Sequence, residues 1–360
     1  MLIEKPRIPI RSVLLYGLWP SVIKIFLYRL KGYRIGKGVS IGFGSVLCGD
    51  TVEVGDFTSV GFLTIIRGKE IRIGAHVQIG SMTFLDTPYM QIGEDTKINE
   101  QVFVGGLQNP DSRFVVGRNC QIMQLTFINP AQSIVIGDDS GIGGHCLIFG
   151  HSSFHSQFEG YPVEFAPIEI GNRVGLAWRV FVLPGAKIGD GVMVGANSVV
   201  SGTIPPNSMA VGYPARIVGK APVFPKQISD DEKTAMFRSI VAEMSQFFVG
   251  SGLSCQRDGD YFEVQRPKER KLWRLLVTDD DAQAALQDRQ AAKLDVFLSL
   301  WEIPVDVRDS LGSRNIMWID IEKKEQTRIS NDLGEEVSLF LKRYGVRTAR
   351  CPRLRTKEVK

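Results

Sequence analysis

An aliphatic residue followed by glycine recurs along the first two thirds of the chain, at Ile35-Gly36, Ile41-Gly42, Val54-Gly55, Val60-Gly61, Ile73-Gly74, Ile79-Gly80 and onward to Ile188-Gly189 and Val194-Gly195. Where the pairs lie close together, the spacing is six. The series Ile170, Leu176, Val182, Ile188, Val194, Val200 keeps it over six positions. Six is neither the period of a helix nor that of a flat strand. It predicts a coil of three short strands, each turning at a corner, with the aliphatic side chain pointing inward. The glycine that follows lets the backbone turn where a side chain would clash. The groups begin at 35, 54, 73, 92, 116, 136, 170 and 188 and differ by 18 to 24 residues, with one exception. Each coil is therefore three six-residue units with at most a small insertion, and stacked coils hydrogen-bond to their neighbours as in other solenoids.

The exception is the interval from 136 to 170, which exceeds three units by sixteen residues. The excess falls around 149–167. The chain has four histidines, and His145, His151 and His155 all lie in or beside this stretch, GHCLIFGHSSFHSQFEG. A solenoid keeps its coils regular for stability and carries function on insertions. The rhythm ends near Val218. Beyond Pro222 a capping box of Ser229 and Glu232 predicts a helix over 230–248. Strands are predicted at 261–266, 272–278 and 316–322, and further helices at 279–293 and 333–345. The chain thus divides into an N-terminal helical segment (1–32), the coil (33–221) and a small C-terminal α/β or α+β domain (222–360) that carries no assignable motif.

The run Ser12–Leu30, SVLLYGLWPSVIKIFLYRL, is apolar but interrupted by Pro20, Lys24 and Arg29, which makes it a poor spanning helix. The first reading is an amphipathic helix that caps the coil. The second is an interfacial helix on the cytoplasmic membrane face, with Tyr16, Trp19 and Tyr28 at the interface and Lys24 and Arg29 at the head groups.

Composition adds little to this picture. A net charge of +4 does not argue for nucleic acid as a partner. The five cysteines are scattered, odd in number and without metal-type spacing, which favours free thiols in a reducing compartment. The start lacks the order of a secretory signal, so a cytoplasmic protein is expected. The basic tail from Lys342 to Lys360 reads as solvated.

Residues 168–220, with IGN at 170–172, LPG at 183–185, IGDG at 188–191, GANSVV at 195–200, IPPNS at 204–208 and GYPARIV at 212–218, resemble the hexapeptide-repeat acyltransferases. The similarity is greatest to the branch of maltose, streptogramin and polysaccharide O-acetyltransferases. The resemblance implies a mainly β fold, a left-handed parallel β-helix, which departs from the right-handed crossover rule. It also implies a homotrimer with coenzyme A in the groove between neighbouring subunits. Acetyl-CoA would be the acyl donor, and a sugar or polysaccharide precursor the acceptor. The catalytic histidine of that branch lies in the loop before the IGN coil, which here holds His151 and His155. Spacing to Tyr161-Pro162 favours His155, and spacing to the preceding coil favours His151; His155 is the first choice. By the same resemblance Ala177, Trp178, Gly195 and Ala196 would line the pantetheine arm, with Arg216 and Lys220 at the phosphates. The chain departs from the branch at Gly175, Ala177 and Gly202, where relatives often carry tryptophan, glycine and lysine.

Transfer from a thioester needs a base for a weakly nucleophilic hydroxyl, and imidazole is suited to that work near neutral pH. His145 lies inside a repeat unit and reads as structural. No metal is expected. Two other readings remain. A zinc-dependent hydratase like the γ-class carbonic anhydrases would need a third ligand beside His151 and His155. A non-enzymatic scaffold would leave the histidine cluster without a purpose.

Overall fold

A computed structural model describes residues 9–110, 112–286 and 293–351. The tail beyond residue 351 and part of the helix expected at 279–293 lie outside the described residues. The chain divides into two compact units between Gln227 and Ile228.

The first unit is the parallel β-helix expected from the repeat. Its strands form three sheets that stack the coils; among the described residues the last coil adds Thr203–Ile204 and Ser208–Val211 to two of them and no strand to the third. Successive coils are in register: Tyr89–Ile92 pairs with Glu70–Ile73 on one side and with Arg113–Val116 on the other. The repeated aliphatic residues, such as Ile79, Ile98, Ile122 and Ile142, are buried in one continuous core.

The glycines serve a different purpose from the one predicted. Gly42, Gly55, Gly80 and Gly93 are not in the left-handed region; a Cβ on any of them would come within 2.6 Å of backbone in the next coil. The left-handed turn falls two residues later, on residues such as Phe57, Leu63, Asp95 and His145. Glycine at these positions is thus needed for close coil-to-coil approach, while the corner itself is turned two residues later, by ordinary residues or by a second glycine such as Gly38, Gly44 and Gly191.

Hydroxyls tie the corners together. Thr58 Oγ1 donates to the Gly74 carbonyl at 2.7 Å, Thr64 Oγ1 to Gly80 at 2.8 Å, Thr96 Oγ1 to Gly117 at 2.8 Å and Ser140 Oγ to Gly171 at 2.9 Å. Cys120 and Cys146 occupy equivalent positions, with their thiols directed at the carbonyls of Gly137 (3.0 Å) and Ala177 (3.2 Å). Burial pushes the Cys146 thiol up to about 11, so it stays a neutral donor. These two cysteines are wall components.

The apolar run near the N-terminus forms two helical pieces, Ile10–Gly17 and Ser21–Leu30, bent by 117° about Leu18–Pro20. The second piece caps the first coil. Lys24, fully buried, donates to the carbonyls of Gly42 (2.6 Å) and Ser45 (3.1 Å), and the Tyr28 hydroxyl accepts from the Leu47 amide. Desolvation lowers the Lys24 pKa from its usual value.

The second unit is α/β. Its sheet runs in chain order from Ser254–Asp258 to Ala349–Arg350, with a parallel centre of Leu272–Thr278, Val296–Ser299 and Met317–Asp320. Ser229 and Glu232 form the predicted capping box on Asp230–Gly250. The strand Val296–Ser299 and the helix Val305–Ser313 were not predicted. The strand is buried at all four positions, so it lacks the alternation that marks a half-exposed strand.

Candidate active site

All the longer connections of the coil leave from one corner, the one that follows the third strand. They are the loops after Val104, after Asn129 and after Phe149. They are tied together: Asn109 Nδ2 donates to Ala131 O at 3.0 Å, the Gly150 amide to Asn129 O at 2.9 Å and the Ile168 amide to Ser133 O at 2.9 Å. The pairing of the coils is unaffected. Leu147 still aligns with Phe181, and Ile134 with Ile168, across the sixteen-residue excess.

That excess is a projecting hairpin. His151–Ser152 pairs antiparallel with Glu164–Phe165, His151 opposite Phe165. A 3₁₀ turn at Gln157–Glu159, followed by Gly160 at φ 86°, lies in the connection. Gly150 at the base could not carry a side chain, because a Cβ would sit 2.9 Å from the Gln132 amide nitrogen.

The two candidate bases differ sharply in their surroundings. The His151 ring stacks against Phe149 (5.8–6.2 Å being the range for its two ring contacts) and Phe165, at interplanar angles of 10° and 23°. Its Nδ1 is buried without a hydrogen-bond partner, and the side chain as a whole is half-buried. His155 is exposed near the tip, 4.5 Å from the Tyr161 ring and edge-on to Phe154. Phe154 and Phe158 beside it are almost wholly exposed, at 95% and 104%.

An aromatic ladder leads to His151 along the third sheet. Phe84, Phe103 and Phe127 stack at 5.0 and 4.8 Å, and Phe149 meets Phe127 and Phe181 edge-on at 5.2 and 5.4 Å. Sequence reasoning missed it. The signal was phenylalanine immediately before the inward residue in Phe84-Leu85, Phe103-Val104, Phe127-Ile128 and Phe181-Val182.

The expected cofactor residues lie at a different corner. Trp178 packs over Gly144, where a Cβ would be 2.7 Å from its ring, and beside His145 at 5.9 Å. His145 turns the corner there with φ 57°. The Ala177 amide donates to Val194 O and its carbonyl accepts from Cys146, while the Gly195 amide donates to Ala210 O. These main-chain groups are already used by the coil; exposed at this corner are Trp178 and Ala196, with Arg179 and Asn197 beside them. Arg216 and Lys220 are exposed at opposite ends of Arg216–Lys220, a strand that turns back antiparallel onto Ser208–Val211. Within one chain the histidine corner and the Trp178 corner are separated by the third-sheet strand, about 15 Å for residues 178–183 if extended. Among the described residues, no group of three or more His, Cys, Asp or Glu side chains is placed to hold a metal ion.

No protein-family model matches the chain. It is 41% identical over 113 residues to a protein named as a lipopolysaccharide biosynthesis O-acetyl transferase, WbbJ, of Escherichia coli K12, covering 28% of this chain and 58% of that protein. It is 31% identical over 137 residues to the galactoside O-acetyltransferase of the same organism, covering 37% and 64%. Neither match reaches two thirds of the relative's own length. Among solved structures, a polySia specific acetyltransferase, NeuO, aligns over 59% of this chain and 99% of its own, at 18% identity and a TM-score of 0.34. The resemblance read from the repeat and its motifs holds: the coil of this chain is similar to those of the hexapeptide-repeat O-acetyltransferases.

Proposed function

We propose that the chain is an acetyl-CoA-dependent O-acetyltransferase acting on a hydroxyl of a sugar or surface-polysaccharide precursor, with His151 as general base. The observation that carries this reading is the clamped His151 imidazole at the single large break in the coil. Its ring is half-buried between Phe149 and Phe165 at the base of the hairpin, whereas His155 is exposed near the tip against Tyr161, and on that difference we prefer His151 to the first choice made from spacing. Nε2 would take the acceptor's proton as the hydroxyl oxygen attacks the thioester carbonyl. When the tetrahedral intermediate collapses, the carbon–sulfur bond breaks. The coenzyme A sulfur leaves and receives the same proton from the imidazolium.

The corner with Trp178 and Ala196 would hold the pantetheine arm, and Arg216 and Lys220 the phosphates. The distance between that corner and His151 supports an active site shared by neighbouring copies, hence a homotrimer. Residues 33–221 would carry the chemistry, with 1–32 and 222–360 as accessory parts. We infer a cytoplasmic site of action, which suits the free thiols of the coil. The test is release of coenzyme A thiol from acetyl-CoA in the presence of a panel of sugars and nucleotide sugars. Sugar-dependent release is expected. Zinc-dependent hydration of carbon dioxide with no thiol release would favour the hydratase reading instead.

A further inference from the structure

The end of the coil that carries the N-terminus is apolar on two sides, and only one is used. The helix Ser21–Leu30 turns Lys24 and Tyr28 inward to close the first coil. On its other side Val22, Phe26 and Leu30, spaced four apart, form a stripe exposed at 80%, 61% and 70%. A helix that only capped a coil would have polar residues there. The preceding piece continues the exposure with Leu14, Leu15 and Leu18. The elbow is fixed to the coil, since the buried Gly17 accepts at its carbonyl from the Gly44 amide at 2.8 Å. Phe43, beside Gly44, and Phe62 and Leu63 on the next coil are exposed too.

Charge narrows the choice of partner. From residue 9 to residue 49 the sequence holds Arg11, Lys24, Arg29, Lys31, Arg34 and Lys37 and neither aspartate nor glutamate. Lys24 is buried in the cap, Arg34 pairs with Glu53, Arg29 donates to the Ile35 and Gly36 carbonyls at 2.8 and 2.9 Å and Lys31 to the Tyr33 hydroxyl at 2.6 Å; apart from Lys24 these side chains are exposed, as are Arg11 and Lys37. Trp19, exposed and with its indole N–H bonded to Leu15 O, adds an amphipathic ring. Aliphatic side chains ringed by cations match acyl chains beneath anionic head groups. Among the described residues no single helix is long and apolar enough to cross a membrane. Ten helical residues span about 15 Å, half of a hydrocarbon core about 30 Å thick. The buried Tyr28 and Lys24 hold this helix against the coil.

We propose that this end of the chain docks onto the surface of a bilayer containing anionic phospholipid, with the Val22–Phe26–Leu30 stripe among the acyl chains and the exposed cations at the phosphates. The test is co-sedimentation of the full chain with vesicles of phosphatidylethanolamine and phosphatidylglycerol, compared with phosphatidylcholine alone. Binding to the anionic vesicles is expected, with salt weakening it, and the double variant Phe26→Glu, Leu30→Glu should lose at least about tenfold in partitioning. Phe158→Glu, on the distant hairpin, should bind as the parent does. Should the double variant fail to fold, brominated lipid provides a second readout. It should quench the parent's tryptophan emission, and Trp19→Phe should remove much of that quenching. Absence of vesicle binding by the parent overturns the proposal, as does a folded double variant that binds equally well. A patch that instead holds copies of the chain together would show as loss of oligomer in the double variant with no lipid binding by the parent, which also overturns it.

Discussion

The coil wall and the hairpin at 149–167 are built on opposite terms. In the wall, Ile128, Ile148 and Val182 are sealed inside, and the corner carbonyls meet hydroxyls or thiols of the adjoining coil. In the hairpin, Phe154, Phe158, Tyr161 and Phe165 are exposed, and the contacts among its rings are those of His151 with Phe149 and Phe165 and of His155 with Phe154 and Tyr161. The wall minimises what is left unpaired, while the hairpin leaves its large side chains available to other molecules. If His151 is the base as proposed, stability and chemistry belong to separate stretches of one chain, and substitutions should affect one property without the other.

The largest effect is expected at His151. His151→Ala should lower turnover by about 10²–10⁴-fold, the usual share of general-base catalysis, with the melting temperature nearly unchanged. His155→Ala should be milder. Steady-state kinetics showing the reverse order would return the base to His155 and remove the significance of the clamped ring.

Next come changes that should damage only the wall. Ile128→Ala should cost about 2–5 kcal/mol in chemical denaturation, since a fully buried side chain leaves a cavity. Phe158→Ala, truncating a larger but exposed ring, should leave the denaturation midpoint where it was. Equal losses would mean that the hairpin tip is buried in the working assembly.

A smaller loss is expected from Gly80→Ala. The added Cβ would stand 2.4 Å from the Glu100 amide nitrogen, a backbone atom that cannot swing aside, and overpacking of this kind costs about 1–3 kcal/mol. Gly160→Ala in the hairpin meets nothing within 4 Å but sits at φ 86°, so its cost is conformational strain alone. Thermal melts of the pair separate coil spacing from turn geometry.

The smallest effect concerns an exposed corner. Asp190 accepts from the Asn172 amide at 2.8 Å, and that bond holds its carboxyl below the ordinary aspartate value. A pKa depressed by folding contributes stability above the unfolded value and loses it as pH falls through the folded one. Asp190→Ala should therefore lower the melting temperature slightly at neutral pH, with the difference closing in acid. A difference independent of pH would assign the role of Asp190 to shape.

Most of the coil was legible because a period of six admits few structures, and Ile170 through Val200 keep it without interruption. The hairpin's position was legible as an interval too long for three units. What it does to its histidines was not. His151 is clamped only after it pairs opposite Phe165, fourteen residues on, and spacing along the chain does not register such a meeting. The reason for the glycines was misread because a clash with the next coil involves residues roughly twenty positions away. The cysteines were read by their scatter, although Cys120 and Cys146 each stand two residues before an inward aliphatic, as Thr58, Thr64 and Ser140 do. The strand Val296–Ser299 had no amphipathic pattern to reveal it.

The coils before and after the long hairpin remain aligned residue for residue. That corner therefore behaves as a socket: a segment can be enlarged, shortened or exchanged there while the scaffold continues beyond it in phase. Grafting the hairpin of a related coil between Phe149 and Ile168 would exchange this projection without rewriting the frame. On the proposed function, a new acceptor preference would require change at this corner alone, with the rest of the solenoid kept.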